Sequence, residues 1–106
     1  MIILDFETNT NNIGDVLEIA AVKIDKNFNI LDKFHRYYLS RFPLNFYSYE
    51  VHRLTPELIL EYRKDKNYSS YFSEDEDFEK FCYESETLIA HNISFELRHI
   101  NNRMKF

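Results

Sequence analysis

Apolar and polar residues alternate from the first positions of the chain. Ile2, Leu4 and Phe6 fall on one face of an extended segment and Ile3, Asp5 and Glu7 on the other, which predicts a strand over residues 2–7. The polar stretch from Thr8 to Asp15 holds the only glycine, Gly14, and reads as a loop. A second strand is expected from Val16 to Asp25, with Leu17, Ile19 and Ala21 on one face and Glu18, Ala20, Val22 and Ile24 on the other. Apolar residues on both faces place it inside the sheet. Asp25-Lys26-Asn27 supplies a turn in which Asn27 suits a left-handed conformation. Asn29 to Leu39 returns as a third strand, rich in Phe34, Tyr37 and Tyr38; its Asp32, Lys33 and Arg36 mark an edge, and Pro43 falls in the following loop.

Helical signals come next. Thr55 is a good N-cap, Pro56 suits the first helical position, and Leu54 and Ile59 stand where a hydrophobic staple closes. Ser73 and Glu76 match the S-x-x-E capping box, and Phe78, Phe81 and Cys82 recur at helical spacing, predicting a helix to about Glu84. The acidic run Glu74–Asp77 reads as a solvated first turn. Thr87 to Ala90 is a short apolar strand. Asn92 can cap a final helix in which Ile93, Leu97, Ile100 and Met104 form one stripe, with Glu96 beside it and Phe95 pointing away.

The resulting order predicts a mixed α/β sheet. The first three strands form an antiparallel meander, and the fourth arrives through a helical crossover to pair parallel with the first. With 106 residues the chain makes one small domain. Its 44% hydrophobic and 17% aromatic content describes a globular core heavy in rings, and one Gly and two Pro argue against disorder. The net charge of −5 argues against a basic module that coats nucleic acid, although a nuclease can use its acids as metal ligands. Cys82 is the only cysteine, which excludes an intramolecular disulfide and a Cys-based four-ligand zinc site. No basic, apolar leader follows Met1, and no apolar run reaches the ~20 residues a bilayer requires, so the expectation is a soluble cytoplasmic protein.

Candidate chemistry centres on Asp5-Phe6-Glu7. Two carboxylates at i and i+2 share one strand face, roughly 7 Å apart at Cα. Their mutual repulsion is relieved by a hard divalent cation such as Mg²⁺ or Mn²⁺, and two such ions about 4 Å apart can clamp a phosphodiester. The plainer alternative is two acids at a strand end in water, and D-x-E by itself does not decide between them. Glu96 adds a carboxylate just inside a helix that follows a strand, near the end of the first strand, where ligands gather in parallel arrangements. Plainer roles exist here too: His91 as a strand-end residue, Asn92 as an N-cap, and Glu96 as an ion-pair partner of His99 or Arg103.

Taken together, these segments resemble the DnaQ-like DEDD (DEDDh-type) 3′–5′ exonucleases, a superfamily of proofreading subunits and RNA-trimming enzymes. Ile3-Leu4-Asp5-Phe6-Glu7-Thr8 is similar to the first motif, D-x-E-T, and Leu17-Glu18-Ile19-Ala20-Ala21-Val22 to the strand after it. Val51-His52-Arg53-Leu54-Thr55-Pro56-Glu57 is similar to V-H-G-I-T-x-E, and Ala90-His91-Asn92-Ile93-Ser94-Phe95-Glu96 to the second motif, H-N-x-x-F-D. The resemblance implies a ribonuclease-H-like fold, with Asp5 and Glu7 as direct metal ligands and Glu96 helping to hold a second Mg²⁺ or Mn²⁺. It implies that Thr8, His52, Asn92 and Phe95 lie near the terminal nucleotide. The implied reaction is metal-assisted hydrolysis at a single-stranded nucleic-acid 3′ end, releasing a nucleoside monophosphate.

Several positions depart from the family pattern. Glu96 replaces Asp, Arg53 replaces Gly, and Thr8-Asn9-Thr10 stands where the family has T-T-G. The third motif, H-x-x-x-x-D, supplies a general-base His and a last carboxylate; none of the four histidines here is followed by Asp at that spacing. Residues 1–106 are therefore expected to be a partial exonuclease domain, whose missing groups come from a second subunit or a C-terminal segment. Two further readings are a catalytically inactive module that binds a partner protein or a nucleic-acid end, and a purely structural interaction domain that binds no metal. Arg53, Lys64, Arg98 and Arg103 are candidate phosphate contacts with a plainer role on a solvated surface. Tyr68 and Tyr71 sit in a polar loop within reach of base stacking.

Overall fold

The computed structural model describes residues 1–83, 85, 87–90 and 99. Its sheet has the order β3-β2-β1-β4, built from β1 (Ile2–Thr8), β2 (Val16–Ile24), β3 (Ile30–Tyr37) and β4 (Leu88–Ile89). β2 runs antiparallel to both β1 and β3, and β4 runs parallel to β1. The expected meander with a parallel fourth strand is the one observed, with β3 at an edge. Helices α1 (Phe46–His52), α2 (Pro56–Tyr62) and α3 (Asp77–Cys82), with a 3-10 turn at Phe72–Glu74, fill the crossover from β3 to β4.

Alternation in β1 appears directly as burial: Ile2, Leu4 and Phe6 are buried, while Ile3 and Asp5 are exposed. That buried face packs with Ile19, Ala21, Phe34 and Tyr38 against Phe72, Phe78 and Phe81. Rings meet edge to face, with Phe6–Phe78 at 5.8 Å and Phe34–Phe78 at 5.4 Å between centroids. Each fully buried ring contributes about 1.5–3 kcal/mol through area removed from water, and such edge-on pairs add about 0.5–1.5 kcal/mol.

One irregularity divides the core. Glu7 pairs with Glu18 and Thr8 with Val16, leaving Leu17 bulged between them. Val16 stays with Ile19 in the main core, whereas Leu17 turns to a second cluster with Leu54 and Ile59. Leu17 therefore does not share a packing face with Ile19 and Ala21, contrary to simple alternation. In that second cluster α2 starts as its sequence predicts: Thr55 Oγ1 accepts from the Leu58 amide at 3.1 Å, and Leu54 and Ile59 close the staple.

Other expectations are corrected. α3 begins at Asp77 rather than after Ser73, and Glu76 makes no side-chain cap. Asp75 takes the capping role: its Oδ1 accepts from the Asp77 amide at 3.0 Å, while Ser73 Oγ accepts from Arg41. In the β2–β3 turn the left-handed residue is Phe28 (φ 64°), not Asn27, because Asp25 Oδ1 accepts from the Asn27 and Asn29 amides and forces the reversal one residue later. α1 lacks any sequence signal of an apolar stripe, and it buries none of its residues. It is set by its ends, an Asn45 cap and a left-handed Arg53 (φ 59°). Among the described residues, no helix is long and apolar enough to cross a membrane. The expected final helix with its stripe, and the site residues Asn92, Phe95 and Glu96, lie outside the described residues.

Candidate active site

Strand register places the acids. Residues directly opposite on neighbouring strands share a face, with Cβ atoms roughly 5 Å apart. One row across the sheet is therefore Glu7, Glu18 and Tyr37, and the next is Asp5, Ala20 and His35. Asp5 and Glu7 project from the face opposite the aromatic core, Asp5 into solvent and Glu7 half-buried. Ala20, the smallest side chain of the second row, is exposed beside Asp5 and leaves space above the sheet. Parallel pairing of Ile2 with Leu88 and Ile3 with Ile89 points the carboxyl end of β4 the same way as that of β1, the sheet edge where ligands collect.

The electrostatics identify a third acid. Burial, then Asp5, then Glu18 push the Glu7 carboxyl above its ordinary pKa. Glu18 itself is held by His35, whose Nε2 lies 2.6 Å from Oε2. Tyr37 stands on its other side, its hydroxyl pushed up to about 12 by burial and by the Glu18 carboxylate. Alternation on β2 put Glu18 on the face away from Ile19 and Ala21, but only its register opposite Glu7 brings it into the site.

His52, the last residue of α1, reaches the same region. Burial lowers its pKa, while the Glu18 carboxylate pulls the other way. Its Nδ1 accepts from the Leu54 amide at 2.8 Å, so the neutral ring carries its proton on Nε2. Nε2 is buried and has no hydrogen-bond partner among the described residues. A desolvated donor of this kind is costly unless something accepts from it. Thr8 is half-buried at the end of β1, beside the bulge.

Asp5, Glu7, Thr8 and His52 are thus placed around the carboxyl end of β1. Neither Asp5 nor Glu7 forms an ion pair among the described residues, and no three His, Cys, Asp or Glu side chains among them converge on one point. Two carboxylates without a counter-charge among the described residues, one of them with raised proton affinity, form a donor set of hard oxygens. That set fits Mg²⁺ or Mn²⁺, which bind through one or two carboxylates together with substrate phosphate oxygens and water.

Other candidates are engaged elsewhere. The guanidiniums of Arg36 and Arg63 each stand over the Tyr68 ring at 4.5 Å, and the Tyr68 hydroxyl accepts from the Tyr37 amide. Arg41 covers Tyr71 at 3.8 Å. Arg53 occupies its left-handed position without the freedom of the glycine it replaces. Arg98 and Arg103 lie outside the described residues.

Comparison with known proteins bears on the family and the fold. The exonuclease family (RNase_T) matches residues 2–106. A solved structure of exonuclease X in complex with 5′-overhanging duplex DNA superposes with a TM-score of 0.63 at 24% identity, covering 93% of this chain and 52% of that one. The likeness shows a shared ribonuclease-H-like fold, and the chain spans about half the length of that structure. No curated protein matches the chain.

Proposed function

The chain belongs to the exonuclease family, within the DnaQ-like DEDD superfamily, and on that footing we propose that it carries the acidic centre of a metal-dependent 3′–5′ exonuclease. The substrate is a single-stranded nucleic-acid 3′ end. The observation that carries this reading is the pair Asp5 and Glu7 on one open sheet face, with no cation paired to either among the described residues. Asp5 and Glu7 hold the metal, and Glu96 is the third ligand. When bound, two divalent cations supply Lewis-acid stabilisation of the phosphate oxygens and ease deprotonation of water.

The remaining roles belong to the chain's own groups. His52 offers its Nε2–H to an oxygen of the terminal nucleotide, a donor already desolvated and held in orientation by the Leu54 amide. Thr8, Asn92 and Phe95 line the same nucleotide. Glu18, fixed by His35, keeps negative charge beside Glu7 and so favours a cation there over a bare phosphate.

The general base and the last carboxylate come from outside residues 1–106. In support, none of the four histidines is followed by Asp at the spacing of the third motif. The same observation favours a second reading, an inactive exonuclease-like module that binds a nucleic-acid end or a partner protein.

The test uses 5′-labelled single-stranded DNA and RNA oligonucleotides with Mn²⁺, Mg²⁺ or EDTA, beside Asp5→Ala and a 3′-blocked substrate. A metal-dependent ladder shortening from the 3′ end, absent in the variant, supports the exonuclease. Metal and oligonucleotide binding without cleavage supports the inactive module. A folded chain that binds neither overturns both.

A further inference from the structure

We propose that Asn9 is a positioning residue: its buried side chain clamps the 40–45 loop and α1 to the end of β1, and so sets where His52 stands relative to Asp5 and Glu7. The inference rests on the nuclease reading of the site, and it adds a residue that the acidic motifs do not include.

Asn9 follows the last residue of β1 and is 1% exposed. Its Nδ2 donates to Ser40 Oγ and to the Pro43 carbonyl, each at 3.0 Å, and stands 3.5 Å from the Phe42 carbonyl. Its Oδ1 accepts from the Asn45 amide at 2.8 Å. One carboxamide thus uses both its donor and acceptor ends on a loop more than thirty residues away in sequence. The clamp continues into the helix. Asn45 Oδ1 caps the Tyr47 and Ser48 amides at 3.0 and 3.4 Å, and the Asn45 carbonyl accepts from Tyr49 at 2.9 Å.

α1 depends on that connection because it has no apolar anchor. It is seven residues long and buries none of them, well short of the ~12–15 residues at which an isolated helix becomes even marginally stable. It is held at its two ends. At the C-terminal end Leu54 is buried and its amide fixes His52; at the N-terminal end the hold is Asn9. A threonine at this position, as in the T-T-G pattern, offers one hydroxyl and cannot reproduce the set.

The test is residue-resolved amide exchange in the full chain as Asn9→Ala and Asn9→Thr, with circular dichroism to confirm folding. The Tyr49 and Arg53 amides are expected to exchange about tenfold faster, with β1–β2 amides within about threefold of wild type. Affinity for a single-stranded 3′ end, read with Ca²⁺ in place of Mg²⁺, falls about tenfold while Mn²⁺ affinity stays within about twofold. Folded variants with unchanged α1 exchange overturn the proposal, as does a loss of Mn²⁺ affinity equal to the loss of oligonucleotide affinity. If both Asn9 variants fail to fold, Ser40→Ala removes one partner of Nδ2 and spares the Pro43 contact. It is then expected to accelerate α1 exchange about threefold, and no acceleration overturns the clamp. If the wild-type chain binds no oligonucleotide, the nuclease reading falls and the exchange result alone decides the clamp.

Discussion

Asp75 ties three elements together, and its replacement has a calculable consequence. The residue is 3% exposed, its Oδ2 accepts from Arg36 Nη1 at 2.6 Å and from the Tyr38 hydroxyl at 2.7 Å, and its Oδ1 caps the Asp77 amide at 3.0 Å. Asp75→Ala removes a charge-assisted bond of about 1.5–3 kcal/mol and leaves the Tyr38 hydroxyl desolvated without its acceptor, about 1–3 kcal/mol. It also removes a helix cap of about 1 kcal/mol. Arg36 keeps Asp77 at 2.9 Å and its side chain is 21% exposed, so the first contribution falls at the low end. The expected destabilisation is about 3.5–5.5 kcal/mol, a fall in Tm of about 14–33 °C at about 4–6 °C per kcal/mol for a domain of this size. Urea unfolding followed by circular dichroism measures it. Acid provides a second readout. Burial pushes the Asp75 carboxyl up, but the Asp77 amide, the Tyr38 hydroxyl and Arg36 outweigh it and hold its pKa below the ordinary value. A folded-state pKa below the unfolded one gives stability that is complete above about pH 4 and is lost as pH falls through the lower folded value. Wild type and Asp75→Ala are therefore expected to differ most at pH 6–7 and less in strong acid. A difference below about 1 kcal/mol at pH 7, or one that does not shrink in acid, would refute this account of the Asp75 network.

Three further outcomes follow from burial. The Cys82 thiol is 1% exposed and pushed up to about 12 by burial, so iodoacetamide at pH 8 is expected to spare the folded chain and alkylate it only in denaturant; rapid native alkylation contradicts the packing of α3. Phe78→Ala removes the ring that meets both Phe6 and Phe34, and is expected to cost about 3–5 kcal/mol in denaturant unfolding. The His52 imidazole is expected to titrate by NMR below the ordinary value near 6.5 because burial disfavours its cation. With the folded pKa below the unfolded one, its contribution to stability is present above that value and lost as pH falls; a midpoint above 6.5 overturns the buried placement of Nε2.

What the sequence makes legible here is whatever depends on neighbours within a few positions. The alternation Ile2, Leu4, Phe6 against Ile3, Asp5, Glu7 needs only the strand period, and the Thr55-Pro56 start needs only a cap and a fixed φ. Both appear in the structure as expected. The capping box at Ser73 shows the limit of that locality. Ser73 and Glu76 have the right spacing, yet Asp75 caps α3 because Arg36 and Tyr38, 39 and 37 residues away, hold its carboxylate in place. α1 is invisible for the complementary reason. With no buried residue it has no apolar period to detect, and the contacts that define it come from Asn9, 36 residues before Asn45.

The candidate site divides along the same line. Asp5 and Glu7 are adjacent in sequence and could be read as a pair. Glu18 becomes part of their environment only through the β1–β2 register, which runs unbroken from Ile2–Lys23 to Glu7–Glu18 and ends at the bulge. A uniform strand through that point would change which residue opposes Thr8 and send Leu17 back toward the aromatic core. The bulge gives α2 its own apolar partner in Leu17, while the Glu7–Glu18 pair just before it keeps the regular register of the strands. The acids and the second cluster therefore adjoin at one point of the sheet, Glu7 and Glu18 just before the bulge and Leu17 within it. A substitution such as Leu17→Ala, remote from any proposed metal ligand in the packing sense, acts on the site by loosening α2 and, through Leu54, the amide that orients His52.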